Sequence, residues 1–130
     1  MNLYMQGEEG FPQNLPALDQ EIVTGPMSDC VSIIVLYNYN PRLNQYTSAR
    51  GWHGLGGAQV INMGAMLRDV PNNPLTQVII IPGSIRQSNY DRDQTMEHVQ
   101  AGLVAHNRVN VRYIAGRMNS TTLNRQGAVT

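Results

Sequence analysis

A chain of 130 residues, 42% hydrophobic and only 14% charged, is long enough for one packed core and too short for two, which excludes a disordered charged tail and a highly charged coiled coil. Nine basic residues against nine acidic ones leave no net charge, removing the attraction that sequence-independent nucleic-acid binding needs, so no nucleic acid is expected as a partner. No apolar run approaches the roughly 18 residues of a membrane span, and no basic stretch precedes an apolar signal segment, so no membrane span is expected.

Along the chain, Met1 to Gly7, with Asn2-Leu3-Tyr4 and Gln6-Gly7, has the look of a protease-cleavage tag remnant. Residues 8–18, broken by Gly10, Pro12 and Pro16, read as a flexible leader, so 1–18 is set apart and a single domain is expected over 19–130. Glu21 to Thr24 is a short β-prone piece halted by Gly25-Pro26. Val31 to Tyr37 is a run of β-branched and aliphatic residues that predicts a strand, ending in the turn-rich Asn38-Tyr39-Asn40-Pro41. Residues 38–50 show no period; they lead to Gly51-Trp52-His53-Gly54, a plausible hairpin partner near 50–54. Gly56-Gly57 opens a segment in which Ala58, Ile61, Ala65 and Met66 recur at helical spacing, predicting about three turns that close at Arg68 before Pro71 and Pro74.

Gln77 to Ile81 is an uninterrupted apolar strand, expected to be central and buried on both faces, ended by Pro82-Gly83. Ser88 or Asn89 caps a second helix with Asp91 and Asp93 in its first turn and Met96, Val99 and Leu103 as its buried stripe, running to Asn107–Asn110. Val109 to Ala115 alternates as a further strand, and from Gly116 onward the chain reads as a polar tail. Strands alternating with helices predict an α/β (α+β) layered sandwich with a mixed β-sheet and two main helices.

Two compositional features bear on function. All nine cations are arginine, where about seven lysines would be expected on ordinary usage. Without lysine no side-chain amine remains for ubiquitin attachment, as would suit a protein delivered into a eukaryotic cytosol; genome-wide compositional drift is the alternative. The single cysteine, Cys30, excludes an internal disulfide and a cysteine-rich zinc site.

Cys30 begins the first core strand just after a Gly-Pro turn. His53 lies 23 residues later in Gly51-Trp52-His53-Gly54, where glycines bound the Trp-His pair, so if the two segments pair as neighbours, thiol and imidazole can meet. On its own, a lone cysteine is more often a small core residue than a nucleophile. His98 and His106 fall inside the predicted second helix and read as structural or solvated. Gly54, Gly56 and Gly57 lack the full glycine order of a phosphate cradle, and the carboxylates form no pair suited to glycosidase chemistry or a hard cation. No cofactor and no metal are expected.

The stretch Thr24-Gly25-Pro26-Met27-Ser28-Asp29-Cys30-Val31-Ser32-Ile33-Ile34-Val35-Leu36-Tyr37, with His53 following, resembles the signature of the chemoreceptor glutamine deamidase CheD. The cytotoxic necrotizing factor toxins, which deamidate a glutamine in Rho-family GTPases, share that catalytic arrangement. Val78 to Ser84 is similar to the family's central strand and turn, and Asn89 to Arg117 to its helix, strand and closing Gly-Arg element. The resemblance implies a CheD-like deamidase fold, with Cys30 as nucleophile, His53 as general base and acid, and Thr24 orienting the imidazole. It implies a protein substrate presenting a glutamine.

Asp29 stands where the family usually has Ser or Gly, and a carboxylate there opposes thiolate formation unless it points away or pairs with an arginine. The departures near Cys30 and the absent lysines favour a bacterial effector or toxin domain, secreted and acting on a host protein in the host cytosol. The alternatives are the chemotaxis-type deamidase of the bacterial cytoplasm, another thiol enzyme such as a protease or transglutaminase, and a non-catalytic α/β interaction module.

Overall fold

The β-branched run from Val31 to Val35 forms the middle of a five-stranded mixed sheet. The computed structural model describes residues 12–15, 21–55, 61–115 and 120–130. Strand β1 is Gln13–Asn14, β2 Ile22–Val23, β3 Cys30–Asn40, β4 Gln45–Leu55, β5 Gln77–Pro82, β6 Asn110–Tyr113 and β7 Thr122–Leu123; helix α1 is Met63–Met66 and α2 Asn89–Ala101. The large sheet runs β1-β4-β3-β5-β6, and β2 and β7 make a separate two-stranded ribbon. β3 is antiparallel to both β4 and β5, whereas β5 and β6 are parallel, with α2 as the crossover that a parallel pair requires.

Both faces of β3 are covered, which is why its sequence is continuously apolar rather than alternating. Val31, Ile33, Val35 and Tyr37 pack with Trp52, Val78 and Ile80 under Met63 and Met66 of α1 and Val99 of α2. Cys30, Ile34 and Leu36 face the other way and pack with Ile79 and Ile81 under Ile22 and Leu123 of the ribbon. The result is three layers: helices, sheet, ribbon. The mixed sheet with two helices is the architecture expected from the alternation of strands and helices, and Ile79 and Ile80 of β5 are wholly buried, as its unbroken apolar run requires.

The structure corrects four expectations. The polar stretch 38–50 is strand for most of its length: β3 and β4 are each 11 residues long and are joined by a turn over 41–44. Its period is hidden because Asn38 adopts the left-handed region (φ 56°), so that Tyr37 belongs to the helix-side core while Tyr39 and Tyr46 pack on the ribbon side. Thr47 Oγ1 donates to Asn38 O (2.8 Å) and Asn38 Nδ2 to Ser48 Oγ (3.0 Å), supporting the hairpin at that kink.

The first helix is one turn, Met63–Met66, rather than three; the expected start, Gly56 to Val60, lies outside the described residues. Asn62 caps it by accepting from Ala65 N (3.0 Å). It stops because Arg50 Nη1 donates to the carbonyls of Ala65, Met66 and Arg68, after which Asp69 turns left-handed (φ 59°). The second helix is capped by Ser88 as expected but ends at Gly102, so that His106 belongs to a separate 3-10 turn, Val104–His106.

The segments expected to be leader and tail both enter the fold. Leu15 is fully buried and its N–H donates to Ala49 O (2.9 Å), extending the β1–β4 pairing. Thr121, Leu123 and Arg125 are buried at alternate positions, β7 pairs with β2, and Arg125 Nη2 donates to Leu15 O (2.7 Å). Two of those three inward residues are polar, so no apolar alternation marks the strand. Residues 1–11, 16–20 and 116–119, including Gly116-Arg117 of the resemblance, lie outside the described residues.

Candidate functional site

The register of the central hairpin sets the geometry of Cys30 and His53. Cys30 lies opposite Leu55, and Ser32 lies opposite His53. Because side chains alternate along a strand, Cys30, Ser32 and His53 share the ribbon-side face, and Cys30 and His53 are diagonal neighbours on adjacent strands. Such diagonal pairs lie about 7–8 Å apart, a separation that an aromatic or long side chain spans. The condition set by the sequence, that the two segments pair as neighbours, is met. Trp52, one residue before His53, faces the opposite core, where it is wholly buried beside Ile33.

Both site residues are buried, each with 8% of its surface exposed. Ser32 is fully buried between them and donates to Met27 Sδ (3.0 Å), so the methionine just after the Gly-Pro turn folds back over the same face. Burial, and after it the charge of Asp29, push the Cys30 thiol above its ordinary pKa. The resting sulfur is therefore a thiol, and its attack on an electrophile requires a base to take the proton as the bond forms.

Asp29 is not left bare beside the sulfur. Arg86 Nε donates to Asp29 Oδ1 (2.6 Å), its Nη2 lies 2.5 Å from the same oxygen, and its Nη1 donates to Asp91 Oδ1 (3.3 Å). Ser88 Oγ donates to Asp91 Oδ2 (2.7 Å) and accepts Asp91 N–H (3.1 Å). The start of β3 is thus tied to the start of α2 through one guanidinium. The sequence posed the need for an arginine partner; which arginine supplies it was illegible, because 57 residues separate the pair.

The turn before Cys30 is clamped a second time by backbone. Gly83, Ser84 and Ile85 donate their N–H groups to the carbonyls of Cys30 (2.7 Å), Met27 (2.9 Å) and Ser28 (3.1 Å). A β-carbon on residue 83 would sit 2.5 Å from Ser28 O and 2.7 Å from Cys30 O, so the approach needs glycine there.

Thr24 is buried and bound into the ribbon end: Thr24 N donates to Thr121 O (3.0 Å), its hydroxyl accepts Thr121 N–H (3.1 Å) and donates to Gly25 O (2.9 Å). With its one proton committed to Gly25, the hydroxyl keeps a single lone pair for any further donor. His98 is on α2, across the sheet from Cys30, and His106 Nε2 meets Val70 O at 2.9 Å. Neither belongs to the cysteine's surroundings.

Among the described residues no group of three or more His, Cys, Asp and Glu side chains could hold a metal ion, and no helix is long and apolar enough to cross a membrane. No protein-family model matches the chain, and no curated protein is significantly similar to it. What stands defined is a mixed α/β domain with a buried cysteine and histidine side by side on one sheet face.

Proposed function

We propose that the protein is a protein-glutamine deamidase of the CheD and cytotoxic necrotizing factor kind, with Cys30 as nucleophile and His53 as general base and acid. The observation that carries this reading is the β3–β4 register, which makes the two residues diagonal neighbours on one face. Cys30 Sγ attacks the side-chain carboxamide carbon of a substrate glutamine while His53 takes the thiol proton. His53 returns that proton to the departing nitrogen, and ammonia leaves a thioester. Water, deprotonated by His53, then attacks the thioester, releasing glutamate and restoring the thiol.

The resemblance assigns Thr24 the orienting of the imidazole, and its hydroxyl, bonded to Thr121 N–H and Gly25 O, keeps one lone pair for a further donor. Since the N–H groups of Gly83, Ser84 and Ile85 are already engaged, oxyanion donors come from the bend at Ser28–Asp29. The absence of lysine supports action inside a host cytosol as a secreted effector.

Incubation with eukaryotic cell lysate followed by mass spectrometry tests the reading: glutamines gaining about one mass unit, with no chain cleavage, are expected from the native protein and not from Cys30→Ser or His53→Ala. Conversions that persist in Cys30→Ser, or none with the native protein, overturn it. One observation favours a second reading, a non-catalytic interaction module: Cys30 is buried in an apolar cluster with its thiol held protonated, as a core residue would be. In that case iodoacetamide leaves Cys30 unmodified in the folded protein.

A further inference from the structure

A second feature lies across the sheet from Cys30 and His53. Arg50 is opposite Val35 in the hairpin and therefore on the helix side, where its guanidinium stacks on Tyr37 at 5.2 Å from the ring centre. Beside it is a cavity of about 430 Å³, bounded by β1, β4 and α1. Its polar walls are Asn14, Arg50, Asn62 and Arg68, and the other described lining residues are small or apolar, with no carboxylate among them.

The hydrogen bonds fix what these walls present. Asn14 Oδ1 accepts from Arg50 Nε (3.3 Å), and Asn62 Oδ1 accepts from Ala65 N (3.0 Å). Each bond fixes which way its amide points, and the two NH2 groups are left as donors. Arg50 spends Nη1 on the carbonyls closing α1 and one Nη2 proton on Tyr37 Oη (2.9 Å), leaving one Nη2 proton and its full charge. Arg68 is exposed, and its guanidinium has no partner among the described residues. A concavity with two cations and two amide donors is complementary to an anion. Its volume falls in the range of small-molecule sites, larger than a bare oxyanion needs.

We propose that this cavity binds a small molecule carrying a phosphate or carboxylate group, which Arg50 and Arg68 hold while Asn14 and Asn62 donate alongside. The ligand bridges β1, β4 and α1, so its binding pins the β1 segment to the sheet. The site is independent of the deamidase reading, since it stands on the opposite face and uses none of the same residues.

Isothermal titration of the full chain with inorganic phosphate and with citrate, at ionic strength held constant with sodium chloride, tests this. Saturable one-site binding of either anion is expected: phosphate alone identifies a phosphate-bearing ligand, citrate alone a carboxylate-bearing one. Arg68→Gln, an exposed position outside the core, should weaken it about tenfold or more through loss of a charge-assisted contact. Arg68→Lys should retain most of it, and Cys30→Ser all of it. Absence of saturable binding by both anions, or binding unchanged in Arg68→Gln, overturns the proposal.

Discussion

A chain of three charged groups, Asp29, Arg86 and Asp91, ends beside the Cys30 sulfur. Asp29 raises the thiol's pKa, Arg86 neutralises Asp29, and Asp91 holds Arg86 from the far side. Asp29→Asn removes the opposing charge, so the pH at which Cys30 becomes alkylatable should fall; Arg86→Gln exposes Asp29, so it should rise. Asp29 is about half exposed and the pair is screened by solvent, which makes both shifts smaller than that from burial and makes them shrink in high salt. Rates of iodoacetamide modification against pH for the three proteins would measure this, and identical profiles would dismiss Arg86 as a regulator of the thiol. The residues themselves were legible in the sequence: a cysteine opening an apolar strand, a histidine in a glycine-bounded pair, a carboxylate that needed a cation. Their distances were not, because the hairpin register depends on how 38–50 folds, and that stretch carries no period.

At the scale of elements, legibility tracked apolar patterning. β3 and β5 announce themselves as unbroken β-branched runs, and α2 by its Ser88 cap and Val99 stripe. β2, Ile22–Val23, falls inside the β-prone piece Glu21 to Thr24, whereas β1 and β7, also two residues each, are too short for any periodicity to register and join the fold through backbone bonds and through single buried residues such as Leu15 and Leu123. α1 fails at its other end: its close falls within two residues of the expected Arg68, where Arg50 gathers the carbonyls of Ala65, Met66 and Arg68, but Ile61 lies outside the helix and Asn62 caps it by accepting Ala65 N–H, so it starts only at Met63.

The same dependence on distant contacts makes the Pro82-Gly83 corner critical. Gly83→Ala would drive a methyl group into the carbonyls of Ser28 and Cys30, which are backbone and cannot rotate away. A loss of about 1–3 kcal/mol is expected, in the range of overpacked interiors. Because one of the displaced carbonyls is that of Cys30, the proposed deamidation should fall further than stability does. Urea unfolding alongside lysate deamidation separates the two. Full activity in a destabilised variant would show that the corner supports the fold without positioning the sulfur.

For the molecule as a whole, structure sharpens the meaning of its missing lysines. Several arginines do what lysine cannot. Arg50 spreads hydrogen bonds over three carbonyls, an amide oxygen and a phenol; Arg86 joins two carboxylates; Arg112 bridges Gln77 Oε1 and Gly127 O; and Arg125 reaches Leu15 O from within the core. Planar multidentate donors explain those positions. Arg42, Arg68 and Arg108 are different: each is exposed, and none has a side-chain bond or ion pair among the described residues. Folding physics is indifferent to lysine there, since both side chains carry one charge and neither is held in a fixed geometry. The triple change to lysine at 42, 68 and 108 should therefore leave the melting temperature nearly unaltered. If the composition reflects escape from ubiquitin attachment, the same triple variant should disappear faster than the native chain in eukaryotic cytosol, and a proteasome inhibitor should restore its lifetime. Equal half-lives would return the composition to drift and remove its support for action in a host cell, while leaving the Cys30–His53 chemistry to be judged on its own assay.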